Sequence, residues 1–377
     1  MRKLRIVLLT LLLLVGALFL FLRLRYGGGT LAEHLPATPP IFNETVLETV
    51  ADLPLPPGNI AVSPDGRIFF TFHPEGKPEV NVAELVSGTA VPYPPSAEDR
   101  ARTKSVLSMR LDRQGRLWLL DFASHGMGQP RIVAYDIKDN RLVHEFDFSR
   151  EVAPRGSMLN DFQVSPDGRW IYIADASIFG LAPALVVYDT EQKKARRLLE
   201  KHSSVLADHD HIPRVRDRDL LVLGVFAIRP GVDSIALERN GRYLYFAAVN
   251  APNMYRIDSK FLRDESYNAD QIAGAVETVG RKTDSDGITT DDRGNVYITD
   301  ASSDSIHRMS PDGKIETLVK SDKLRWPDGF SFGPDGYLYV TCSSLQEVIF
   351  RSASHVKAHS PYQIFRFTPG VAATPGH

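Results

Sequence analysis

The sequence predicts an all-β fold, a six-bladed β-propeller, preceded by an N-terminal hydrophobic helix. Two observations carry this prediction. One pattern recurs six times along the 377 residues. It consists of a short apolar strand, a turn rich in Asp, Asn, Pro and Gly, and a strand rich in aromatic and β-branched residues. Each such pair is followed by a third apolar strand, and several pairs by a fourth. A four-strand unit repeated six times favours radial closure into a propeller over a sandwich.

The turn glycine marks each repeat, because glycine readily adopts the positive φ that such a turn needs. The six turn glycines are Gly66, Gly115, Gly168, Gly241, Gly294 and Gly336. The repeat at 285–302, SDGITTDDRGNVYITDAS, shows the pattern most clearly. The third strands are predicted at VNVAEL, RIVAYDI, ALVVYDT, NMYRID, SIHRMS and, in the last repeat, EVIFRS at 347–352.

Composition limits the classes of function. The chain is 43% hydrophobic and 24% charged, with a formal net charge of −2, which suits one large globular domain. Because no basic stripe stands out, nucleic-acid binding is not predicted. Cys342 is the only cysteine, so an intramolecular disulfide is excluded.

Residues 1–26 are interpreted as a signal-anchor or a signal peptide. The apolar run from Ile6 to Leu22 is flanked by arginines and would extend about 26 Å as a helix at roughly 1.5 Å per residue. We favour an uncleaved anchor, since no small-x-small cleavage site precedes the GGG at 27–29. A cleaved signal peptide is the alternative. Either reading places the propeller outside the cytoplasm, in the periplasm or at the cell surface, membrane-anchored or secreted.

The remaining segments are assigned by composition. Residues 27–57 are rich in Gly and Pro and predict a tether, residues 58–368 hold the propeller, and residues 369–377 predict a disordered tail. Two segments compete for the strand that closes the ring in the last blade. They are ETVLETVADL at 44–53 and PYQIFRF at 361–367, and the pattern does not decide between them.

The first strand of each propeller blade lines the central channel, so its opening residues converge on the axis. The residues eight positions before the turn glycines are Gly58, Leu107, Asn160, Asp233, Asp286 and Asp328. Three carboxylates and one amide oxygen at one level form a site of the kind that Ca²⁺ or Mg²⁺ prefers. Left empty, these carboxylates would repel one another and raise their own pKa values. Loop capping by Asp-Gly and Asn-Asp pairs is the alternative interpretation.

Two further sets of residues are candidates for substrate binding. His209 and His211 lie in a polar insertion at 200–218, which would sit on one rim of the propeller. They would either contribute to substrate binding or belong to a solvated loop. Trp326 would either stack on a ligand at the channel mouth or pack between blades.

The motifs at the channel resemble the major royal jelly protein/yellow family, in its bacterial branch related to L-dopachrome tautomerase. The resemblance spans about 105–345 and is most specific at N-D, 160–161, and W-P-D, 326–328. It implies a six-bladed propeller that is usually secreted. The family includes proteins linked to dopachrome conversion and others that bind small aromatic amines, so the resemblance does not fix an activity.

A more distant resemblance links the repeat to the gluconolactonase/senescence-marker propellers. In that group an Asn and an Asp at such positions bind a catalytic divalent metal, and Asn160 and Asp286 match them. The group's first-blade Glu is replaced here by Gly58 or Asn59. A lactonase-like site would therefore need its third carboxylate from Asp328 or Asp233.

These observations lead to a hypothesis of a small cyclic or aromatic carbonyl compound as substrate. A divalent cation, calcium in the first place, would be held by Asn160, Asp286 and Asp328. Asp233 and Asp286 would act as catalytic groups in a metal-dependent tautomerase or isomerase, or in a lactone hydrolase. The alternatives are a non-catalytic binding protein for an amine or aromatic molecule, stacked on Trp326, and a scaffold in the cell envelope. The oligomeric state is not predicted.

Overall fold

The computed structural model describes residues 2–31, 38–371 and 373–376. Six antiparallel sheets of four strands are arranged as the blades of a propeller, so the predicted fold is confirmed. In every blade the turn glycine joins the first two strands and has a positive φ, as the hairpin turn requires.

From the channel outward, the strands of blade 1 are Pro57–Val62, Ile68–Phe72, Val82–Val86 and Thr89–Pro92. Those of blade 2 are Val106–Leu111, Arg116–Asp121, Arg131–Asp136 and Arg141–Asp147. Those of blade 3 are Leu159–Val164, Trp170–Asp175, Ala184–Asp189 and Lys194–Leu198. Those of blade 4 are Val232–Leu237, Tyr243–Ala248, Asn253–Asp258 and Glu277–Arg281. Those of blade 5 are Ile288–Thr290, Val296–Asp300, Ser305–Met309 and Ile315–Lys320.

Blade 6 closes the ring with strands from both ends of the chain. Its strands are Pro327–Phe332, Leu338–Cys342, Tyr362–Phe367 and Glu48–Leu53. Both candidate segments therefore belong to this blade. The segment at 361–367 contains its third strand, and the segment at 44–53 contains its outermost strand. Since the outermost strand comes from near the amino terminus, strand hydrogen bonds join the two ends of the ring. The propeller thus begins before residue 58, inside the segment predicted as a tether.

The predicted third strand of the last blade, EVIFRS at 347–352, is wrong. The chain there forms the 3-10 helix Leu345–Glu347 and then a loop that leads into the helix Ala353–Ala358. Ser344 has a positive φ, and the Ser352 side chain caps the following helix by accepting from the His355 amide. These local features end the extended conformation, and the alternating segment at 362–367 takes the strand position instead.

Short helical elements lie before the strands of the ring and in the connections between them. The helices are Ala97–Arg100, Ala123–Gly126, Lys260–Arg263 and Ala269–Gly274, and the other 3-10 helices are Glu44–Val46 and Pro74–Gly76. The insertion between blades 3 and 4 contains two small hairpins. They pair Arg214–Val215 with Arg218–Asp219, and Leu221–Val222 with Phe226–Ala227.

The N-terminal helix Arg2–Tyr26 projects from the propeller, and its side chains from Lys3 to Phe21 are exposed. By length and composition the stretch Lys3–Tyr26, with a mean hydropathy of 2.7, is able to cross a membrane. This is consistent with a signal peptide or an anchor. The last turn of the helix is hydrogen-bonded to the propeller through Arg23 and Tyr26.

The segments predicted as tether and tail are in contact with the propeller where the structure describes them. Thr30–Leu31 pairs in parallel with His211–Ile212, and the Phe42 amide donates to the Leu318 carbonyl at 2.8 Å. Residues 32–37, which include Pro36 of the predicted tether, lie outside the described residues. In the tail, the Gly376 amide donates to the Phe332 carbonyl at 3.0 Å.

Candidate functional site

The inward positions of the first strands coincide with irregularities of the sheets. In five blades the pairing between the first and second strands shifts register near the start of the first strand. The residues within the shifts are 58–59, 107, 160–161, 233 and 328–329. A bulge leaves its residues unpaired and re-aims their side chains. Bulges therefore direct most of the predicted positions into the channel.

One cavity of about 330 Å³ surrounds the channel axis. All six predicted inward positions line it, namely Gly58, Leu107, Asn160, Asp233, Asp286 and Asp328. Trp326 also lines it. The structure thus brings together the residues predicted as metal ligands, both residues predicted as catalytic, and the predicted stacking aromatic.

The rest of the cavity wall is mostly apolar and comes from longer connections. Connections between second and third strands contribute Phe122, Ile178, Phe179, Val249, Leu345, Ile349 and Phe350. The insertion between blades 3 and 4 contributes Pro213, Leu220, Phe226, Ile228 and Pro230. The cavity therefore lies at the propeller face that carries these connections, with carboxylates at the starts of the first strands beneath an apolar wall.

A buried arginine accompanies the channel carboxylates. Arg110 donates to the Asn59 side-chain oxygen, and its Nη2 lies 3.6 Å from Asp161 Oδ2. Asn59 Nδ2 donates to Asp161 Oδ1 at 2.7 Å. Burial raises the pKa of the Asp161 carboxyl, and the Arg110 guanidinium opposes that rise. Arg110 and Asn59 thus compensate Asp161, which leaves Asp233, Asp286 and Asp328 as the less compensated carboxylates.

Asp233 is buried in an unusual environment. Its Oδ1 has no hydrogen-bond partner in the part of the chain that the structure describes. Burial, and then the neighbouring Asp286, raise the pKa of the Asp233 carboxyl well above its usual range. A buried oxygen without a donor is costly unless a proton or a cation satisfies it.

Asp286 is partly buried and held by the indole of Trp326. Trp326 Nε1 donates to Asp286 Oδ2 at 2.5 Å. Burial raises the pKa of Asp286 to about 6, although the hydrogen bond from Trp326 acts in the opposite direction. Trp326 itself is buried, with a positive φ of 54°. Its ring packs between blades and also lines the cavity, so the two predicted roles are not exclusive.

Asp328 completes the set. Burial raises its pKa well above the usual range of a carboxyl, and the charge of Asp286 adds to the effect.

The carboxylates of the channel form an open ring. In the described residues, no three of them have oxygens that all lie within 4.8 Å of one another. A cation at this level would keep water in part of its coordination shell, as Ca²⁺ and Mg²⁺ commonly do.

The cavity contains a second group of ionisable side chains that sequence reasoning missed. His73, Glu75 and His125 line it, and His125 Nε2 lies 3.5 Å from Glu75 Oε1. Burial lowers the pKa of His73 to about 4, so this imidazole is neutral at neutral pH. These residues come from connections whose course no repeat pattern specifies. Arg110 and Asp161 were also missed, although an arginine inside the apolar strand SMRL is an unusual residue for a core position.

The two histidines predicted to bind substrate do not reach the central cavity. His211 Nε2 lies 3.0 Å from Asp284 Oδ1, and the His211 carbonyl accepts from Asn250. His209 lines a separate small cavity beside Arg25 and Tyr26. The insertion does reach the rim, as predicted, but it contributes its apolar residues rather than these imidazoles.

Metal-ligand side chains also cluster outside the cavity. Glu347, His355 and His359 have one ligand atom each within 4.8 Å of the others. His355 Nε2 lies 2.7 Å from Glu347 Oε2, and His359 Nδ1 bonds the His355 carbonyl at 2.9 Å. The cluster stabilises the connection that carries Leu345 and Ile349 to the cavity wall.

Comparison with solved structures supports the fold. A luciferin-regenerating enzyme superposes with a TM-score of 0.57 at 14% identity, covering 88% of this chain and 97% of that one. A calcium-binding protein, regucalcin, from Agrobacterium tumefaciens has a TM-score of 0.56 at 14% identity, covering 90% and 100%. A gluconolactonase from Xanthomonas campestris has a TM-score of 0.55 at 13% identity, covering 90% and 98%. At these identities the similarity establishes the fold alone.

Comparison of the sequence identifies the family. Major royal jelly protein 9 of Apis mellifera is 23% identical over 179 residues, which are 45% of this chain and 40% of that protein. The match therefore spans less than half of the relative's length. The family model described as major royal jelly protein matches residues 104–360, more than half of the chain. This chain belongs to the major royal jelly protein family.

Proposed function

We propose that the protein is an extracytoplasmic enzyme that acts on a small cyclic or aromatic carbonyl compound with the help of a divalent cation. The observation that carries this proposal is the arrangement of Asp233, Asp286 and Asp328 beneath a mostly apolar wall. Their raised pKa values mean that a cation or a proton stabilises the set. The apolar wall suits the carbon skeleton of a substrate.

The residues present fit a hard divalent cation. Asn160, Asp286 and Asp328 offer amide and carboxylate oxygens. Asp233, one oxygen of which has no hydrogen-bond partner among the described residues, lines the same cavity. A bound cation would supply Lewis-acid polarisation of a carbonyl oxygen. Similarity to a protein described as calcium-binding and to a gluconolactonase makes calcium and lactones the first compounds to test.

The chain's own residues divide the remaining tasks. Trp326 holds one oxygen of Asp286 and so fixes the direction of the carboxylate. Burial, and then the charge of Asp286, raise the pKa of Asp233 well above the usual range of a carboxyl, which suits this group to general acid–base work. Phe122, Phe179 and Phe226 exclude water around the substrate. Proton transfer at a carbon beside the carbonyl gives tautomerisation, and attack by water on the carbonyl gives lactone hydrolysis.

The test is calcium binding and turnover by the full-length protein in detergent after chelator treatment. We expect about one equivalent of Ca²⁺ in calorimetry, lost in Asp328→Asn. Hydrolysis of γ-lactones or tautomerisation of quinone-like compounds should fall at least 100-fold in Asp233→Asn, because an amide cannot transfer the proton. The exposed Asp217→Asn variant is the control and should behave as wild type. Absence of divalent-cation binding to the folded protein would contradict the proposal.

A second candidate function is capture of a small organic amine without chemistry. The open ring of carboxylates favours it, because an ammonium group does not need three ligand oxygens at coordination distance. The carboxylates would pair with the ammonium, and Trp326 with the phenylalanines would contact its ring. This function predicts that binding of an aromatic amine such as tyramine survives complete removal of metal, whereas binding that requires calcium excludes it.

A further inference from the structure

The last turn of the N-terminal helix is bound by the same loops that form the cavity wall. Arg229 Nη2 donates to the carbonyls of Tyr26 and Gly27, each at 2.9 Å. Arg23 Nη1 donates to the Gly224 carbonyl at 3.2 Å. The hydroxyl of Tyr26 donates to the Phe179 carbonyl at 3.0 Å. The helix end is thus tied to the propeller by several hydrogen bonds rather than joined through a free linker.

Aromatic contacts continue from the helix into the cavity. The rings of Tyr26 and Phe226 have centroids 4.8 Å apart, and the rings of Phe226 and Phe179 have centroids 5.9 Å apart. Phe179 and Phe226 both line the central cavity. The point where the helix leaves the propeller therefore lies beside the cavity mouth.

Large apolar side chains are exposed at this same place. Leu223, next to the contact of Arg23 with Gly224, is 79% exposed. Phe350 is 62% exposed and Phe179 is 38% exposed, although both also line the cavity. Exposed apolar residues that cluster around an opening mark a surface that contacts something apolar. We call Phe179, Leu223 and Phe350 the apolar rim.

The N-terminal helix indicates what would cover the apolar rim. A hydrophobic helix of this length is suited to lie across a bilayer, and a tyrosine at its end suits the interface with water. Because the helix end is fixed to the loops beside the rim, a bilayer around the helix would meet the rim. Arg23 and Arg25, which are exposed at the end of the helix, would then face anionic lipid head groups.

From this geometry we propose that the cavity mouth faces the lipid surface, and that the cavity takes a lipophilic compound dissolved in the bilayer. The occupant of the apolar rim is the membrane that holds the helix. The ligand class rests on the proposed function, which assigns the cavity to a small carbonyl compound. The orientation of the mouth does not depend on any chemistry in the cavity.

Depth-dependent quenching tests the orientation. Leu223→Cys and Phe350→Cys variants of the full-length protein, labelled with an environment-sensitive fluorophore, are reconstituted into phosphatidylcholine vesicles containing doxyl-labelled lipid. Val143→Cys is the matched control, since Val143 is 37% exposed on the outer strand of blade 2. Cys342 is buried and should remain unlabelled. We expect quenching at least threefold stronger at positions 223 and 350 than at 143.

Equal quenching at the three positions would overturn the orientation. Cross-linking between copies at the rim would then show that a second protein, and not the membrane, covers it.

The ligand class is tested separately, without turnover. A diazirine derivative of γ-dodecalactone in the vesicles should label the cavity peptides that contain Phe179 or Phe226, and excess γ-dodecalactone should reduce this labelling more than tenfold. Equal competition by γ-butyrolactone, or no labelling, would overturn the lipophilic ligand while leaving the metal and the orientation results intact.

Discussion

At the scale of single residues, Arg110 controls the charge balance of the channel. Its side chain is buried and reaches both Asn59 and Asp161. Burial without a partner would be costly for either charge, so the pair is required as a unit. Because Asp161 is compensated in this way, the remaining carboxylates are the ones that a ligand would satisfy.

This compensation leads to a prediction on Arg110. The substitution Arg110→Met leaves Asp161 buried without its cation and should reduce the free energy of unfolding by about 3 kcal/mol. The double variant Arg110→Met with Asp161→Asn removes both charges and should recover at least half of that loss. Chemical denaturation of the full-length protein in detergent measures both. Additive losses in the double variant would show that the two groups do not act as a pair.

Trp326 acts on the site through Asp286. The substitution Trp326→Phe keeps an aromatic ring in the cavity wall but removes the N–H that bonds Asp286 Oδ2. That hydrogen bond favours the ionised carboxylate, so its loss should raise the pKa of Asp286 further, by about one unit. The midpoint for pH-dependent calcium binding should shift upward by a similar amount. Trp170→Phe, which changes an indole outside the cavity, should leave the midpoint in place.

At the scale of elements, the sequence determined the strand–turn–strand units because their signals are local. Turn glycines and β-branched runs specify these hairpins within about a dozen residues, and the six inward positions followed from the hairpin register. The third strand of blade 6 was misplaced because EVIFRS contains an apolar V-I-F run that resembles a strand, and long-range pairing with Leu338–Cys342 selects YQIFRF instead. No repeat pattern constrains the course of a long connection, so the sequence left open whether the histidines of the insertion contribute to substrate binding or belong to a solvated loop.

The closure of the ring also depends on long-range pairing, and it can be tested at Leu53. This residue is 3% exposed and pairs with Tyr362. The substitution Leu53→Ala should reduce the free energy of unfolding by about 3 kcal/mol, because it leaves a cavity between the outermost strand and the core. Val143→Ala, on the exposed outer strand of blade 2, should change it by less than about 0.5 kcal/mol. Hydrogen exchange at 362–367 should accelerate in the first variant and not in the second.

At the scale of the whole molecule, the propeller concentrates charge on its axis and apolar surface at one face. The axis holds carboxylates whose pKa values are raised by burial, and the face holds the apolar rim beside the helix end. A cation at the axis and a membrane at the face would each stabilise a feature that is unfavourable by itself. Both features belong to the same cavity, which makes the folded state sensitive to what occupies it.

The pH dependence of stability tests this coupling. Burial raises the pKa of Asp286 from its usual 3.8 to about 6 in the folded protein. Between these values the folded state binds more protons than the unfolded state, so the stability contributed by this group is present at low pH and is lost as pH rises through 6. In cation-free protein, Asp286→Asn should therefore gain stability relative to wild type between pH 4 and 7, by on the order of 2 kcal/mol.

The role of the cation follows from the same measurement. Millimolar calcium should offset the loss in wild type above pH 6, because a cation replaces the proton as the partner of the carboxylates, and it should have little effect on Asp286→Asn. Asp217→Asn, at an exposed aspartate, should follow the wild-type curve with and without calcium. If the difference between wild type and Asp286→Asn stays constant from pH 4 to 7, Asp286 does not hold a raised pKa. If millimolar calcium does not stabilise the wild type above pH 6, the ring of carboxylates is too open to act as one cation site, and the amine-binding function is the better explanation of the cavity.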